Sequence, residues 1–255
     1  MCASCGCGGS TEHHHHPHDD HEHHHHDGLR TDPSLLPLEI DLLAANDRLA
    51  IRNRARLTAS GTVALNFIGA PGAGKTALLE RTIRRIAPVP VTVIEGDQET
   101  DNDARRIRAT GCSVLQINTG AGCHLDAASI GRALEALAPA PRSLLFVENV
   151  GNLVCPALFD LGEAAKVVVL SVTEGEDKPL KYPHVFRAAQ ALVITKTDLL
   201  PHLDFDLEAL RANARRVQPA LRIFALSARD GSGFDAWCAW LRANLSNHEP
   251  VAEAR

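Results

Sequence analysis

The eight residues Gly69-Ala70-Pro71-Gly72-Ala73-Gly74-Lys75-Thr76 fit the pattern G-x-x-x-x-G-K-S/T at the spacing a phosphate-binding loop requires. Glycines let the backbone turn its N–H groups inward around phosphate oxygens, and the start of a following helix adds favourable partial charge. In this reading Gly72, Ala73 and Gly74 offer backbone donors. Lys75 reaches the β- and γ-phosphates, and the Thr76 hydroxyl ligates Mg²⁺. The flanks agree with the motif. Residues 63–68 are an apolar run of strand length, and residues 76–86 carry Leu79, Thr82, Ile83 and Ile86 near one helical face. A glycine-rich turn with an exposed lysine is the alternative, and this context disfavours it. The chain is predicted to bind a nucleoside triphosphate.

Further candidates lie where strands should end. Residues 91–95 read as a strand that runs into the acidic stretch Gly96-Asp97-Gln98-Glu99-Thr100-Asp101-Asn102-Asp103. Doubly wound sheets place ligands beyond the carboxyl ends of their strands. Asp97 and Asp103 are therefore candidates to hold Mg²⁺ through water or to orient an attacking water; capping of the next helix is the alternative for either. The apolar run 143–147 ends in Glu148, the place of the acidic residue that meets the Mg²⁺ shell in phosphate-loop enzymes. Gly151 could give its N–H to a γ-phosphate.

Thr195-Lys196-Thr197-Asp198 resembles the guanine-reading N-K-x-D signature, with threonine in place of asparagine. The Asp198 carboxylate can accept both N1–H and N2–H of guanine, which adenine cannot supply, while the Lys196 stem lies over the base. Loss of the asparagine removes an amide contact to the base or to the phosphate loop. Ser227-Ala228 resembles the loop that touches guanine O6 through its backbone.

Soft metal ligands form a second set. Cys2, Cys5 and Cys7 bring three thiolates together, and Gly6 permits a tight loop around one ion. A square-planar site completed by the terminal amine would favour Ni²⁺; tetrahedral Zn²⁺ is the competing reading. His13, His14, His15, His16, His18, His21, His23, His24, His25 and His26 follow at dense, irregular spacing, which suits a store of exchanging ions. Farther on, Cys123, His124 and Cys155 follow two different strands. Together they would make a three-ligand site with room for another group. Burial as a small hydrophobe is the alternative for each cysteine. Cys112 and Cys238 read as structural.

Composition bounds the rest. With 255 residues and 45% hydrophobic content the chain can bury a full α/β core. A formal charge of −5 argues against nucleic acid as a partner, and 4% aromatic residues disfavour stacking on single strands. Nothing resembles a membrane span or a secretory signal, so a cytoplasmic location is expected. There the seven cysteines are better read as ligands or buried thiols than as disulfides. The predicted fold class is α/β: a three-layer phosphate-loop NTPase with a mostly parallel sheet and a disordered metal-binding tail. Its divisions are a Cys/His-rich tail over 1–33, a helix and linker over 34–60, the nucleotide domain over 61–248 and a short tail over 249–255.

These motifs together resemble the HypB family of nickel-handling GTPases of nickel–iron hydrogenase maturation. The resemblance rests on Cys2-x-x-Cys5-Gly6-Cys7, the histidine tract, residues 69–76, Asp97-Gln98-Glu99-Thr100 and Gln116-Ile117-Asn118-Thr119-Gly120. Cys123-His124-Leu125-Asp126-Ala127, Glu148-Asn149-Val150-Gly151-Asn152 and Lys178-Pro179-Leu180-Lys181-Tyr182-Pro183 complete it. The urease-maturation GTPases, with Cys-Pro-His where this chain has Cys123-His124, resemble it less. The resemblance implies hydrolysis of GTP to GDP and phosphate and a homodimer assembled on GTP. It places the Cys123, His124 and Cys155 site near the subunit interface, and a high-affinity nickel site at Cys2, Cys5 and Cys7. It also implies a maturation partner protein and a hydrogenase large-subunit precursor as recipients. No glutamine or arginine finger is evident, so turnover should be slow. A nickel store with incidental GTPase activity is the alternative reading.

Overall fold

In a computed structural model, residues 35–97, 101–120 and 122–248 are described. Their strands are β1 (Val63–Ile68), β2 (Val91–Asp97), β3 (Ser113–Asn118), β4 (Leu144–Glu148), β5 (Ala165–Ser171), β6 (Ala191–Thr195) and β7 (Arg222–Ala225), ordered β3-β2-β4-β1-β5-β6-β7. The sheet, expected to be mostly parallel, pairs in parallel throughout. Such sheets need helices on both faces, which is why the central strands are apolar at nearly every position; β1 is buried along its whole length.

Side-chain alternation on β1 separates the two faces. Val63, Leu65 and Phe67 point to a core shared with α2 (Lys75–Ile86) and α9 (Phe234–Asn247). On the opposite face Ala64 meets α4 (Ala127–Leu137), while Ile68 joins a cluster with α7 (Pro183–Ala188) and α8 (Leu207–Val217). The remaining helices are α1 (Leu35–Ser60), α3 (Asn102–Arg108), α5 (Cys155–Leu158) and α6 (Lys178–Lys181), with a 3-10 helix over Thr197–His202.

Helix α1 is fastened to the domain by polar side chains. The Asn53 amide donates to the carbonyls of Ala127, at 2.8 Å, and Leu161, at 3.1 Å. Asn46 accepts from the Ala127 N–H and donates to the Asp160 carbonyl. A side chain at Gly162 (φ 91°) would strike the Ala50 carbonyl at 2.6 Å, so glycine is what allows the chain to pass this close to α1.

The charged residues 174–183, whose composition reads as a loop, run in turns to Asp177 and then form α6 and the start of α7. Pro179 and Pro183 sit in first helical turns, where a missing N–H costs nothing. Lys181 pairs with Asp177 at 2.6 Å and Lys178 with Glu174 at 3.7 Å, both four residues apart. Among the described residues no helix is long and apolar enough to cross a membrane.

Trp237 locks α9 to α2 and the sheet. It is fully buried, meets Phe67 and Phe224 edge to face, and donates its indole N–H to the Thr82 hydroxyl at 3.0 Å. Trp237→Ala should cost about 3–5 kcal/mol, read as a lower urea midpoint. A change under about 1 kcal/mol would show that α9 contributes little to the nucleotide-side core.

Candidate functional site

The loop after β1 wraps the start of α2. Gly72 (φ 76°) and Gly74 (φ 92°) hold backbone angles that side chains disfavour. The Lys75 ammonium donates to the carbonyls of Gly69, at 3.0 Å, and Ala70, at 3.3 Å. The Thr76 hydroxyl donates to Glu148 Oε1 at 2.8 Å. Gly72, Gly74, Lys75, Thr76 and Glu148 line a cleft of about 470 Å³. Asp97 closes it from the end of β2, Asp103 from α3 and Gly151 from the segment after β4. Ala73 is buried, and its carbonyl accepts from Thr195.

Two cleft residues were not singled out in the sequence. Glu95 pairs in register with Glu148 on the neighbouring parallel strand, so both carboxylates enter the cleft side by side. The signal was its position two residues before Asp97 on one strand, hence on the same side. Each is only 3% exposed. Burial, then the neighbouring Glu148, pushes the Glu95 carboxyl up to about 11. Glu148 is raised too, because its burial outweighs the pull of Lys75 and Thr76. Arg106 is the second. Its guanidinium pairs with Glu80 at 2.5 Å and Asp103 at 3.3 Å on the cleft wall.

At the other end of the loop, the Thr195 hydroxyl donates to the Ala73 carbonyl at 2.6 Å, and Lys196 Nζ to the Gly72 carbonyl at 2.8 Å. The threonine thus makes its own bridge to the phosphate loop. Asp198 Oδ1 accepts from the Ser227 hydroxyl at 2.6 Å, which orients the carboxylate. The Ser227 oxygen in turn accepts the N–H groups of Arg229 and Asp230, and the Ala228 carbonyl accepts from Arg81.

The second set of ligands also meets. One donor atom each from Cys123, His124 and Cys155 lies within 4.8 Å of the others. Cys123 Sγ is 3.5 Å from His124 Nδ1, and the imidazole lies against the Phe159 ring at a centroid distance of 3.8 Å. Burial lowers the His124 pKa despite the nearby Asp126, which favours the neutral, ligating form. Cys112 donates to the Val91 carbonyl, and burial pushes its thiol up to about 11; burial also raises the Cys238 thiol. Both lie apart from the ligand set. Cys2, Cys5, Cys7 and the histidines from His13 to His26 fall outside the described residues.

The two sites share a wall. The buried Asn149 side chain accepts the Leu125 N–H at 3.1 Å, next to His124, and donates to Asn66 on β1 at 3.1 Å. Asn152 pairs by backbone with Gly69, the first residue of the phosphate loop, and its amide donates to the Cys123 carbonyl. A side chain at Gly151 would meet Pro71 at 2.7 Å, so the segment after β4 lies directly on that loop.

Residues 63–225 match the CobW/HypB/UreG nucleotide-binding domain family. Over 208 residues the chain is 58% identical to the hydrogenase maturation factor HypB of Azotobacter chroococcum, covering 81% of this chain and 68% of that one. This chain belongs to the HypB hydrogenase maturation factor family. It is 57% identical to the HypB of Escherichia coli K12 over 81% of this chain and 72% of that one. The crystal structure of HypB from Archaeoglobus fulgidus superposes with a TM-score of 0.75 at 44% identity, covering 80% of this chain and all of that one. HypB from Helicobacter pylori, crystallised in complex with nickel, also gives 0.75, at 35% identity over 83% of this chain and all of that one.

Glu95 predicts a pH dependence of stability opposite to that of an ion-paired carboxylate. Its folded pKa lies above its ordinary value of 4.5, so between that value and about 11 the native state holds a proton the unfolded chain has lost. Stability from this group therefore falls as pH rises from about 4.5. Without nucleotide or divalent ions, Glu95→Gln should raise the urea midpoint at pH 8, for a stability gain on the order of a few kcal/mol, the gain shrinking towards pH 4.5. An equal loss of stability at both pH values would contradict this.

Proposed function

We propose that this chain hydrolyses GTP and uses the cycle to regulate delivery of nickel to a hydrogenase large-subunit precursor. The observation that carries this reading is the shared wall: the segment running from Glu148 to Cys155 borders both the phosphate cleft and the sulfur–imidazole set. Nickel in the Helicobacter pylori relative supports the choice of metal.

In this reading the N–H groups of Gly72, Ala73 and Gly74 cradle the phosphates, and Lys75 leaves its carbonyl partners for the β- and γ-oxygens. Thr76 and Glu148 hold Mg²⁺, which offsets phosphate charge when bound. Asp97 and Asp103 orient the water. Its oxygen bonds to the γ-phosphorus as the bond to the bridging oxygen breaks, leaving GDP and phosphate, which takes up the water proton. Gly151 gives its N–H to the γ-phosphate. Lys196 covers the base, Asp198 accepts from guanine N1–H and N2–H, and Ser227-Ala228 meets O6.

GTP binding draws Thr76 off Glu148, and the movement reaches Cys123, His124 and Cys155 through Asn149 and Asn152. By linkage, if GTP weakens nickel binding, nickel weakens GTP binding by the same factor. Turnover is slow, GTP assembles a homodimer in the cytoplasm, and a maturation partner protein assists delivery. Cys2, Cys5 and Cys7 supply a tight nickel site, with Zn²⁺ as a competitor, and the histidine tract stores the metal.

Hydrolysis of GTP and ATP by the full chain tests the nucleotide half. GTP should be preferred, Lys75→Ala should abolish turnover, and Asp198→Asn should weaken GTP binding by about 2 kcal/mol, roughly thirty-fold. Equal turnover of both nucleotides would refute the guanine assignment. For the metal half, Cys155→Ser should stop nickel transfer to a hydrogenase precursor while GTP turnover continues; unimpaired transfer would remove that site from the pathway.

A further inference from the structure

The loop assigned to guanine O6 is shaped by its own backbone. The Ser227 hydroxyl oxygen accepts the N–H groups of Arg229, at 3.1 Å, and Asp230, at 3.3 Å. The Ser227 carbonyl accepts the Gly231 N–H at 2.9 Å. Such a turn keeps its shape without fixing where it sits on the domain. Its place is set from α2. Arg81 donates to the Ala228 carbonyl at 3.0 Å and to the Arg229 carbonyl at 3.4 Å. The same guanidinium lies over the Phe234 ring, 5.8 Å from the centroid, a favourable seat for a cation. Gly231 (φ 88°) makes room for it, since a side chain there would strike the Arg81 guanidinium.

These bonds leave one donor over. The peptide joining Ala228 to Arg229 is held on both sides, its carbonyl by Arg81 and its N–H by Ser227. The peptide before it has its carbonyl held by the Gly231 N–H. Planar groups fastened in this way keep their orientation. Among the described residues the Ala228 N–H has no hydrogen-bond partner, and it is the donor guanine O6 would take. Arg81 stands on the helix that begins at Lys75, about 9 Å further along its axis. One rigid element therefore sets the separation between the phosphate contacts and the base contact. Arg85, one turn on, lies over the same Phe234 ring at 5.9 Å and pairs with Asp235. Among the described residues it makes no hydrogen bond to residues 227–231.

We infer that Arg81 is a positioning residue for guanine selection, holding the Ala228 N–H at a fixed distance from the phosphate loop. The inference rests on the nucleotide reading above and adds a residue that contacts neither base nor phosphate. Arg85 shares its packing but not its task.

Binding of GTP and 6-thioguanosine triphosphate to the full chain tests this. Sulfur is a poor acceptor in place of O6, while N1–H and N2–H are kept. Wild type should bind GTP tighter by about tenfold, the worth of one good hydrogen bond. Arg81→Met, which keeps an unbranched stem, should bring the two affinities close together. Arg85→Met should leave the wild-type ratio unchanged, although it disturbs the same ring. If Arg81→Met does not fold, Arg81→Lys, which lacks the planar fork, should lower the ratio in part. An unchanged ratio in the Arg81 variants, or an equal fall in Arg85→Met, would overturn the assignment. Wild-type binding of ATP separates the two readings. If GTP and ATP bind alike, the guanine reading fails; if GTP is preferred over ATP but not over the thio analogue, only this inference fails.

Discussion

The structure depends most on one buried amide. Asn149 is 1% exposed, and its side chain joins three pieces of chain: the segment carrying His124, its own strand end, and β1. The chain of bonds continues from Asn66 to Glu163, which accepts the Leu161 N–H beside α1. Buried groups of this kind cannot lose a partner cheaply, because no water replaces it. Glu148 immediately precedes this amide and Gly151 lies two residues after it. A displacement at Thr76 therefore has a short, stiff route to Cys123 and Cys155. The coupling in the proposed cycle rests on this geometry and not on distance alone.

Charge distribution explains why the cleft is poised for ligands. Lys75 and Thr76 are both engaged, but with partners that phosphate and a cation outcompete: neutral carbonyls for the ammonium, and a crowded carboxylate for the hydroxyl. Glu95 and Glu148 share the opposite wall, where burial opposes ionisation of both. Arg106, held by Glu80 and Asp103, adds a positive group at the rim. Its pairing turns it towards these carboxylates.

Much of this was legible in the sequence, for reasons that differ by residue. The phosphate loop could be read because its chemistry is local: glycine angles, lysine and threonine within eight residues. The parallel sheet followed from apolar runs alternating with amphipathic stretches, as at residues 63–68 and 76–86. Glu95 was missed because a carboxylate inside an apolar strand looks like any strand residue until its register with Glu148 is known. Within residues 174–183 the loop ends at Asp177, because the spacing of Asp177 to Lys181 and the two prolines favours helical turns, which charge alone does not reveal. The contact made by Thr195 was unreadable for a different reason. Whether a hydroxyl reaches Ala73 depends on how closely β6 approaches the loop, which no pattern encodes.

The central claim is that the phosphate cleft and the Cys123, His124 and Cys155 set act as one unit. The most direct test is the nickel affinity of a chain beginning at Leu35, measured with GDP and with a non-hydrolysable GTP analogue. The account predicts affinities that differ about five- to 150-fold between the two nucleotides. Nickel should shift affinity for the analogue, relative to GDP, by the same factor. Identical nickel affinity in both states would mean that the sites share a wall without sharing energy, and the coupled cycle would be wrong.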